Sequence, residues 1–530
     1  MTNVSSRPHR SVIVAAVATV LGVLGLTGLI MLQTQSLSVA PGGAGTAIDG
    51  TPPTINKMPT PQATNEPATL PIPTFKNIVF VLADDLDSAL FQQVPRLAAL
   101  SDRGMTFTNH VVTDSLCCPS RVSILRSQYV HNHLVVSNSQ VSGGGWPTFA
   151  ARGEQNDYLP TWLQSAGVTT ALIGKFLNEY PSGKIKEVPP GWSTWVVPTV
   201  ERKSLKPWQA YTGYNYTLNI NGELRDYGST ATDFLPDVLT QQATDFIATA
   251  TTPFFLELAT FSPHDPAPVA DRHALDHPFT AVPRTPSFNV AGIGEAPWLS
   301  QFPVIPDKRI AIFDKLWQQR ARSAESVADA VDSVLATLAT TGHSDDTLVV
   351  VTSDNGFHAG VHRLPKGKRT AYREDTVVPL VLIGTGIPPG TKVDAMTSTV
   401  DFGVTFAKIL GAQSPTWADG RDLTPFFAGQ RPANWRTGVI SESMGVSLPS
   451  DPDYSPFSPP SFTALRTEKW LYTEYADGGI ELFDRTMDPY EMNNIAGTTT
   501  PTLLNQLHEQ LQALHSCSGA TCLVADSMPN

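Results

Sequence analysis

Two cysteines stand side by side at positions 117 and 118, in the stretch LCCPSRVSIL, and the chain of 530 residues has only four cysteines in all. Adjacent cysteines rarely bridge each other, because a disulfide requires Cα atoms farther apart than a trans peptide places them. We expect the pair in a tight turn. Four chemistries are open to it: a structural disulfide, a metal ligand, a reactive nucleophile, and the precursor of another group.

A second set of candidate residues consists of oxygen donors that follow apolar runs. Asp84 and Asp85 follow NIVFVLA, and Asp354 and Asn355 follow TLVVVTS. Carboxylate and amide oxygens without histidine or thiol favour Ca²⁺ or Mg²⁺ over zinc. Each pair alone has a simpler interpretation, because Asp-Asp and Asp-Asn-Gly are common turn sequences.

Buried strands are the elements that must position these residues. Similar apolar runs end at Lys175, in VTTALIGK, and just before His264, in PFFLELATFSPHDP. Such runs are typical of strands buried on both faces of a mainly parallel sheet. Helical patterns lie between them, such as residues 324–342, where Gly342 is predicted to be the C-cap. Because ligands bind at the carboxyl ends of such strands, we expect the polar residues to converge.

Composition and charge limit the class of protein. The chain is 41% hydrophobic and 16% charged, so it can bury a large core and should hold more than one domain. Its formal net charge of −12 argues against a nucleic-acid partner. An anionic substrate is still allowed, since a local basic pocket can lie within an acidic surface.

The N-terminal region predicts export. Residues 12–32 carry no charge and follow Arg7 and Arg10. The run matches the roughly 20 residues that span a bilayer, so a signal anchor within residues 1–40 is favoured over a cleaved signal peptide. The preceding basic residues predict that the rest of the chain lies outside the cytoplasm, held by a single membrane pass, or secreted if the segment is cleaved. Residues 41–75 are rich in Pro, Thr and Gly and predict a linker.

The motif CCPSR resembles the signature Cys-x-Pro-Ser-Arg of the formylglycine-dependent sulfatases. Further matches follow in the same order along the chain: IGKFLNEY, NYTLNINGE, FSPHDP, SDNGFHAG, GKRTAY, DRTMDPYEMNNIAG and SCSGATC. The resemblance is nearest to the N-acetylglucosamine-6-sulfatase branch of the family and covers roughly residues 76–524.

This resemblance implies that a formylglycine-generating enzyme oxidises Cys117 to Cα-formylglycine, while Cys118 occupies the variable position. It also implies a Ca²⁺ ion, with Mg²⁺ less favoured, bound by Asp84, Asp85, residue 117, Asp354 and Asn355. It gives catalytic roles to Arg121, Lys175, His264 and Lys368, a disulfide to Cys517 and Cys522, and candidate substrate-pocket positions to His131, His133, Asn178 and His358.

The implied reaction is hydrolysis of a sulfate monoester. One hydroxyl of the hydrated aldehyde attacks sulfur, while cationic side chains and the metal stabilise the equatorial oxygens. An acid such as His264 protonates the departing alcohol. Loss of a proton from the second hydroxyl then expels sulfate and restores the aldehyde.

Three segments depart from the family pattern. Residues 125–128 read LRSQ where many sulfatases have Leu-Thr-Gly-Arg, and Leu177 stands where many have histidine. Residues 368–380 also differ from most members. The first departure bears on how efficiently Cys117 is converted, and the others bear on the substrate.

The resemblance implies an alkaline-phosphatase-like α/β sandwich with a mixed, mainly parallel central sheet in a catalytic domain of residues 76–435. ALRTEKWLYTEY and IELFDRT predict antiparallel strands joined by ADGG, and PTLLNQLHEQLQALHS predicts a helix. These form a small C-terminal α+β domain of residues 436–530.

The predicted substrate is a sulfated sugar, such as N-acetylglucosamine 6-sulfate in a glycan. Two alternatives stay open. One is a phosphodiesterase or phosphotransferase of the same superfamily. The other is a non-catalytic, membrane-tethered protein that binds sulfated glycans.

Overall fold

The structure, a computed structural model, describes residues 71–199, 209–250, 253–445, 448–449 and 458–529. The strands are β1 Asn77–Ala83, β2 Met105–Phe107, β3 His110–Val111, β4 Thr169–Gly174, β5 Thr194–Thr199, β6 Thr217–Ile220, β7 Glu223–Asp226, β8 Phe254–Ala259, β9 Thr347–Ser353, β10 Leu380–Ile383, β11 Thr391–Val393, β12 Thr397–Ser398, β13 Gly438–Ser443, β14 Phe462–Thr467, β15 Trp470–Tyr475 and β16 Ile480–Asp484. The α-helices are α1 Ser88–Gln93, α2 Pro95–Ala98, α3 Leu100–Arg103, α4 Cys117–Arg126, α5 Val130–His133, α6 Gly145–Ala151, α7 Leu159–Ser165, α8 Leu235–Thr249, α9 Asp307–Thr341, α10 Arg373–Thr376, α11 Asp401–Ile409, α12 Thr424–Phe427, α13 Pro501–His515 and α14 Ala520–Ala525.

A ten-stranded sheet with the order β11-β2-β10-β9-β1-β8-β4-β5-β6-β7 forms the centre of the molecule. The run β9-β1-β8-β4-β5 is parallel, and antiparallel pairs lie on both sides of it. Four neighbouring strands of that run, β9, β1, β8 and β4, are the ones whose ends carry the predicted site residues. Because they are parallel, their carboxyl ends lie at one edge of the sheet.

Alternating side chains of β1 supply both faces of the sheet. Val79 and Val81 pack into the core that holds α8 and α9, whereas Ile78, Phe80 and Leu82 pack into the core on the opposite face, with α7 and α11. All five side chains are fully buried. This two-sided burial is why β1 reads as a continuous apolar run.

The small sheet has the antiparallel order β13-β14-β15-β16, and α13 packs against it. The mixed, mainly parallel central sheet and the small C-terminal sheet with its helix both confirm the predicted fold class. Gly342 ends α9 with φ 80, the left-handed conformation that favours glycine at a C-cap. The domain boundary near residue 435 stays a prediction.

The N-terminal segment of residues 1–40 and most of the predicted linker lie outside the described residues. Phe75, the last residue of that linker, is 5% exposed and packs edge-on against Phe427, so the folded core includes it. Among the residues that the structure describes, no helix is both long and apolar enough to span a membrane.

Candidate active site

The ends of β1, β4, β8 and β9 bring acidic and basic side chains together. Lys175 Nζ lies 2.7 Å from Asp84 Oδ2, and Arg121 Nε donates to Asp354 Oδ2 at 2.8 Å. His264 Nε2 lies 3.7 Å from an oxygen of Asp85. Residues separated by up to 270 positions in sequence therefore share one buried site, as the strand pattern predicts.

Cys117 is the first residue of helix α4, a position that the sequence predicted only as part of a tight turn. Pro119 is tolerated in the first turn, where a backbone N–H has no helical acceptor. The Ser120 hydroxyl donates to the Asp354 carbonyl at 2.5 Å, which fixes the helix start against the end of β9. Arg121, four residues after Cys117, lies on the same helix face. The start of helix α4 therefore accounts for the positions of Pro119, Ser120 and Arg121 relative to Cys117.

Cationic and acidic groups surround the thiol of Cys117. Its Sγ is 2.8 Å from Lys368 Nζ and 3.5 Å from an oxygen of Asp84. Burial raises the pKa of Cys117 well above its usual range, although Lys175 and Lys368 oppose that shift. Burial likewise raises the pKa of Cys118 to about 12. Both residues are therefore protonated thiols at neutral pH and poor nucleophiles in the unmodified chain.

We expect iodoacetamide at pH 8 to label neither Cys117 nor Cys118 in folded, unconverted protein, because only the thiolate reacts and both pKa values lie above the reaction pH. Denatured protein, in which both thiols regain their ordinary pKa, should label quickly at both positions. Mass spectrometry of the alkylated peptides measures this. Fast labelling of Cys117 in folded protein would contradict the inert-thiol description.

Asp85 occupies a left-handed backbone conformation with φ 64, which is strained for a residue with a side chain and is typical of functional sites. The conformation is held in place by contacts from other elements. Asp85 N donates to Asp354 Oδ1 at 3.1 Å, and the buried Arg320 donates to the Asp85 carbonyl at 2.6 Å. Asn355 Nδ2 donates to Asp85 Oδ1 at 2.6 Å.

The site fits a divalent metal ion. Asn355 Oδ1 is buried and has no hydrogen-bond partner among the described residues, so one acceptor is left for a cation. Asp84, Asp85 and Asp354 supply carboxylate oxygens beside it. The donor set of three carboxylates and one amide oxygen matches a hard ion.

The described side chains balance the carboxylates even without that ion. Lys175, Lys368 and Arg121 each form an ion pair with one of the three aspartates. Burial disfavours the ionised form of Asp84, yet Lys175 and the other cationic neighbours hold its pKa well below its usual range. A divalent metal would therefore leave the site with a surplus of positive charge, which suits an anionic substrate.

Two of the predicted substrate-pocket residues, His133 and His131, form hydrogen bonds within the protein. His133 is fully buried, with Nε2 at 3.0 Å from Ser123 Oγ and Nδ1 accepting from Val135 N, and burial lowers its pKa to about 3. His131 binds Glu442 and the Cys517 carbonyl. The ring nitrogens of both histidines contact other residues of the protein, and their role in the substrate pocket stays a prediction.

The other two pocket residues lie nearer the site. His358 is buried, its Nδ1 binds Asp375 at 2.8 Å, and its backbone pairs with Gly367 beside Lys368. It therefore supports the segment that carries this lysine. Asn178 follows Lys175 by three residues and accepts from Trp146 N through its carbonyl.

The structure shows which of the neighbouring lysines, Lys366 and Lys368, lies in the charged site. Lys368 Nζ contacts both Cys117 Sγ and Asp85 Oδ1, whereas Lys366, two residues earlier, pairs with Asp265 at the exposed rim.

The His264 Nδ1–H donates to the Asp265 carbonyl at 2.7 Å, so Nε2 is the ring nitrogen that can exchange a proton at the site.

Sequence reasoning missed Tyr211, whose ring centroid is 4.6 Å from that of His264 and 5.5 Å from Lys175 Nζ. A lone tyrosine between strands carries no spacing signal that could have identified it. Arg320, which contacts Asp85, was missed as well, because in sequence it is one cation within a long amphipathic helix.

Two of the three departures from the family pattern, in residues 125–128 and at Leu177, supply no group that contacts Cys117 Sγ among the described residues, whereas the third begins at Lys368, which does. Arg126 ends α4, opposite Cys117, and its guanidinium stacks on Trp417 at 4.0 Å. Leu177 is 3% exposed and belongs to the hydrophobic core. It offers no proton-transfer group, so in this chain His264 is the histidine beside the site.

The disulfide between Cys517 and Cys522 is present and closes a short loop after α13. Cys117 and Cys118 are free thiols.

Comparison with known families identifies two matches. The model of the family described as Sulfatase matches residues 76–412, and that described as N-sulphoglucosamine sulphohydrolase, C-terminal, matches residues 360–517. N-acetylglucosamine-6-sulfatase from Capra hircus is 34% identical over 481 residues, covering 84% of this chain and 84% of the relative. The Homo sapiens protein of the same name is also 34% identical and is covered to 85%.

Solved structures share the fold. The structure of BT4656 with its substrate D-glucosamine-2-N,6-O-disulfate has a TM-score of 0.69 at 20% identity and covers 83% of this chain and 97% of its own. A phosphonate monoester hydrolase from Silicibacter pomeroyi has a TM-score of 0.63 at 24% identity and covers 84% and 96%. At such identities the likeness establishes the fold alone.

The family model spans more than half of the chain, and the curated relatives match along most of their length. The Sulfatase match includes the cysteine motif and the four strand ends that hold the charged site. The chain therefore belongs to the sulfatase family and is a sulfuric ester hydrolase.

Proposed function

We propose that the chain hydrolyses the 6-sulfate ester of an N-acetylglucosamine-type sugar in a glycan. The observation that carries this substrate is its 34% identity to N-acetylglucosamine-6-sulfatases over 84% of the chain. The glucosamine disulfate bound to BT4656, a protein of the same fold, is consistent with it. The buried cluster of three cationic side chains supplies the charge that a sulfate monoester needs.

In the proposed mechanism, formylglycine at position 117, when present as its hydrate, would supply one hydroxyl as the nucleophile toward sulfur, with the sugar oxygen as the leaving group, and a second hydroxyl whose deprotonation releases sulfate. Cys117 is the first residue of helix α4, and the positive end of the helix dipole at this position favours negative charge there. Lys175, Lys368 and Arg121 bind the sulfate oxygens. Arg121 Nη2 is buried without a hydrogen-bond partner among the described residues, so it is a donor available for an anion.

His264 is the proposed acid. Its Nε2 is the ring nitrogen able to hold a proton, and it protonates the leaving sugar oxygen. Tyr211, whose ring lies 4.6 Å from the same imidazole at an interplanar angle of 47°, holds the ring in place and lines the leaving-group side.

The proposed resident metal is Ca²⁺, bound by Asp84, Asp85, Asp354, Asn355 and position 117. When bound, the ion would orient the sulfate and withdraw charge from its oxygens. The oxygen-rich donor set supports Ca²⁺ over transition metals.

Removal of this metal with EGTA should reduce kcat/KM at least about 100-fold, because several kcal/mol of transition-state stabilisation are lost. It should also lower Tm, since the ion binds the folded state alone. Activity assays and thermal unfolding before and after chelation measure both effects, and added Ca²⁺ should restore them. Full activity in thoroughly chelated protein would contradict the metal assignment.

We also propose export, with membrane attachment through the N-terminal segment and transient contact with a formylglycine-generating enzyme. Two relatives carry the name extracellular sulfatase. The disulfide at Cys517 and Cys522 supports an oxidising compartment.

A panel of esters tests the substrate. N-acetylglucosamine 6-sulfate, its 3-sulfate isomer, galactose 6-sulfate and an aryl sulfate should be compared by kcat/KM under equal metal. We expect the first to be preferred at least about tenfold, which corresponds to one or two pocket contacts. A preference for the aryl sulfate or for galactose would overturn the sugar assignment while leaving the sulfatase intact.

A phosphonate monoester and a phosphate diester belong in the same panel, because structures with this fold include phosphonate monoester hydrolases. Faster turnover of either than of every sulfate ester would favour the phosphoryl-transfer alternative. Binding of sulfated glycan without turnover of any ester would favour the non-catalytic alternative.

A further inference from the structure

A second group of potential metal ligands lies where the small sheet meets the rest of the fold. It consists of His131 in α5, Glu442 in β13 and His515 at the end of α13. Nδ1 of His131 lies 2.9 Å from Glu442 Oε1, and Nδ1 of His515 lies 2.7 Å from the same oxygen. None of these residues belongs to the site around Cys117.

The hydrogen bonds of His131 define its tautomer. Nε2 lies 3.0 Å from the Cys517 carbonyl oxygen, which only accepts, so Nε2 carries a hydrogen. In a neutral ring Nδ1 is then a lone pair, and it faces both carboxylate oxygens of Glu442 at 2.9 Å. Two lone pairs do not attract each other. The contact therefore requires a cation, which is either a second proton on the ring or a metal ion.

The surroundings of Glu442 attract such a cation. Its side chain is fully buried, which disfavours the charged form, yet hydrogen bonds from His131 and His515 keep its pKa below the usual value. His515 is 36% exposed, so the group opens to solvent on that side. The two imidazole centroids are 5.5 Å apart, which leaves both Nδ1 atoms able to approach one ion.

We propose that His131, Glu442 and His515 bind a zinc ion that joins the C-terminal sheet and helix to the body of the domain. Two imidazole nitrogens and one carboxylate, with a fourth position open to water, form an established Zn²⁺ ligand set. Ca²⁺ and Mg²⁺ are excluded here because they prefer oxygen. The Nε2–H bond to the Cys517 carbonyl is the outer contact that orients a metal-binding histidine.

Titration of the full chain with Zn²⁺ in saturating Ca²⁺, monitored by isothermal titration calorimetry, tests the site. We expect the wild type to bind one Zn²⁺ tightly per chain and His515→Asn to bind it at least about 100-fold more weakly. A loss of that size exceeds the loss of metal affinity expected when a residue that only contacts a ligand is replaced. His508→Asn is the matched control. His508 lies on the same helix and binds Glu474 at 2.6 Å, but it belongs to no three-ligand group among the described residues. The His508→Asn variant should therefore bind zinc as tightly as the wild type.

Thermal unfolding keeps the test independent of catalysis. Zn²⁺ should raise the Tm of the wild type and of His508→Asn, but not that of His515→Asn or of Glu442→Gln. Equal zinc affinity in wild type and His515→Asn would overturn the proposal. A second result would also overturn it. If chelators left the Tm unchanged and the Tm fell as the pH rose past the raised pKa of His131, a proton on the imidazole alone would account for the contact with Glu442.

Discussion

Replacement of Cys117 by alanine is expected to abolish sulfate ester hydrolysis, with a fall in kcat of at least about 10⁴-fold, the scale seen when a catalytic nucleophile is removed. The reason is chemical, because alanine cannot become formylglycine. The Tm should change little, since alanine fits the same helix start. The lost thiol contacts Lys368 Nζ at 2.8 Å and two aspartate oxygens at 3.5 Å and 3.9 Å, and Lys368 keeps its ion pair with Asp85 without it. Initial rates on N-acetylglucosamine 6-sulfate measure the loss.

Cys118→Ala is the control for this variant. Cys118 is equally buried and adjacent, but its thiol lies in the hydrophobic core. We expect near wild-type kcat with a modest loss of Tm from a small cavity. Equal activity of Cys117→Ala and wild type would contradict the covalent mechanism, and equal loss in both variants would show that the motif acts through folding alone.

Replacement of Lys368 by methionine has the second-largest expected effect. Its ammonium lies 2.8 Å from Cys117 Sγ and 2.7 Å from Asp85 Oδ1, so it is adjacent to the position where charge develops. We expect kcat/KM to fall about 10²–10³-fold, as for loss of one preorganised donor. Methionine keeps the length of the side chain, which limits the change in packing.

Lys366→Met tests whether the effect belongs to that position. Lys366 is two residues away and carries the same charge, but it pairs with Asp265 at the rim, where both side chains are over 40% exposed. A surface pair of this kind contributes about 0–1 kcal/mol, so we expect less than a threefold change in kcat/KM. If Lys366→Met lost more activity than Lys368→Met, the assignment of Lys368 to the sulfate would be wrong.

The central sheet was predictable because its strands obey a simple rule. β1, β8 and β9 are buried on both faces, so their sequences are largely apolar runs, and apart from the buried Glu257 in β8 polar residues appear only at or next to the strand ends. The parallel arrangement then places those ends at one edge. Asp84, Asp85, Asp354 and Asn355 could therefore be grouped from sequence, although up to 271 positions separate them.

Other parts of the site depend on tertiary contacts that leave no local pattern. Tyr211 lies near His264 because two unrelated loops meet, and Arg320 reaches Asp85 from the middle of α9. The contacts of His131 and His133 were likewise not predictable from the sequence. The spacing of the two histidines indicates a functional motif, but the residues point into the fold, where one binds Ser123 and the other binds Glu442.

Conversion of Cys117 is the central claim, and peptide mass spectrometry of protein from its native host tests it most directly. The exchange of a thiol for an aldehyde lowers the mass of the peptide containing residue 117 by about 18 Da. We predict a peptide with this shift, assigned to position 117 and not to 118. A wholly unmodified Cys117 in well-folded protein would contradict the proposed mechanism and favour the glycan-binding alternative.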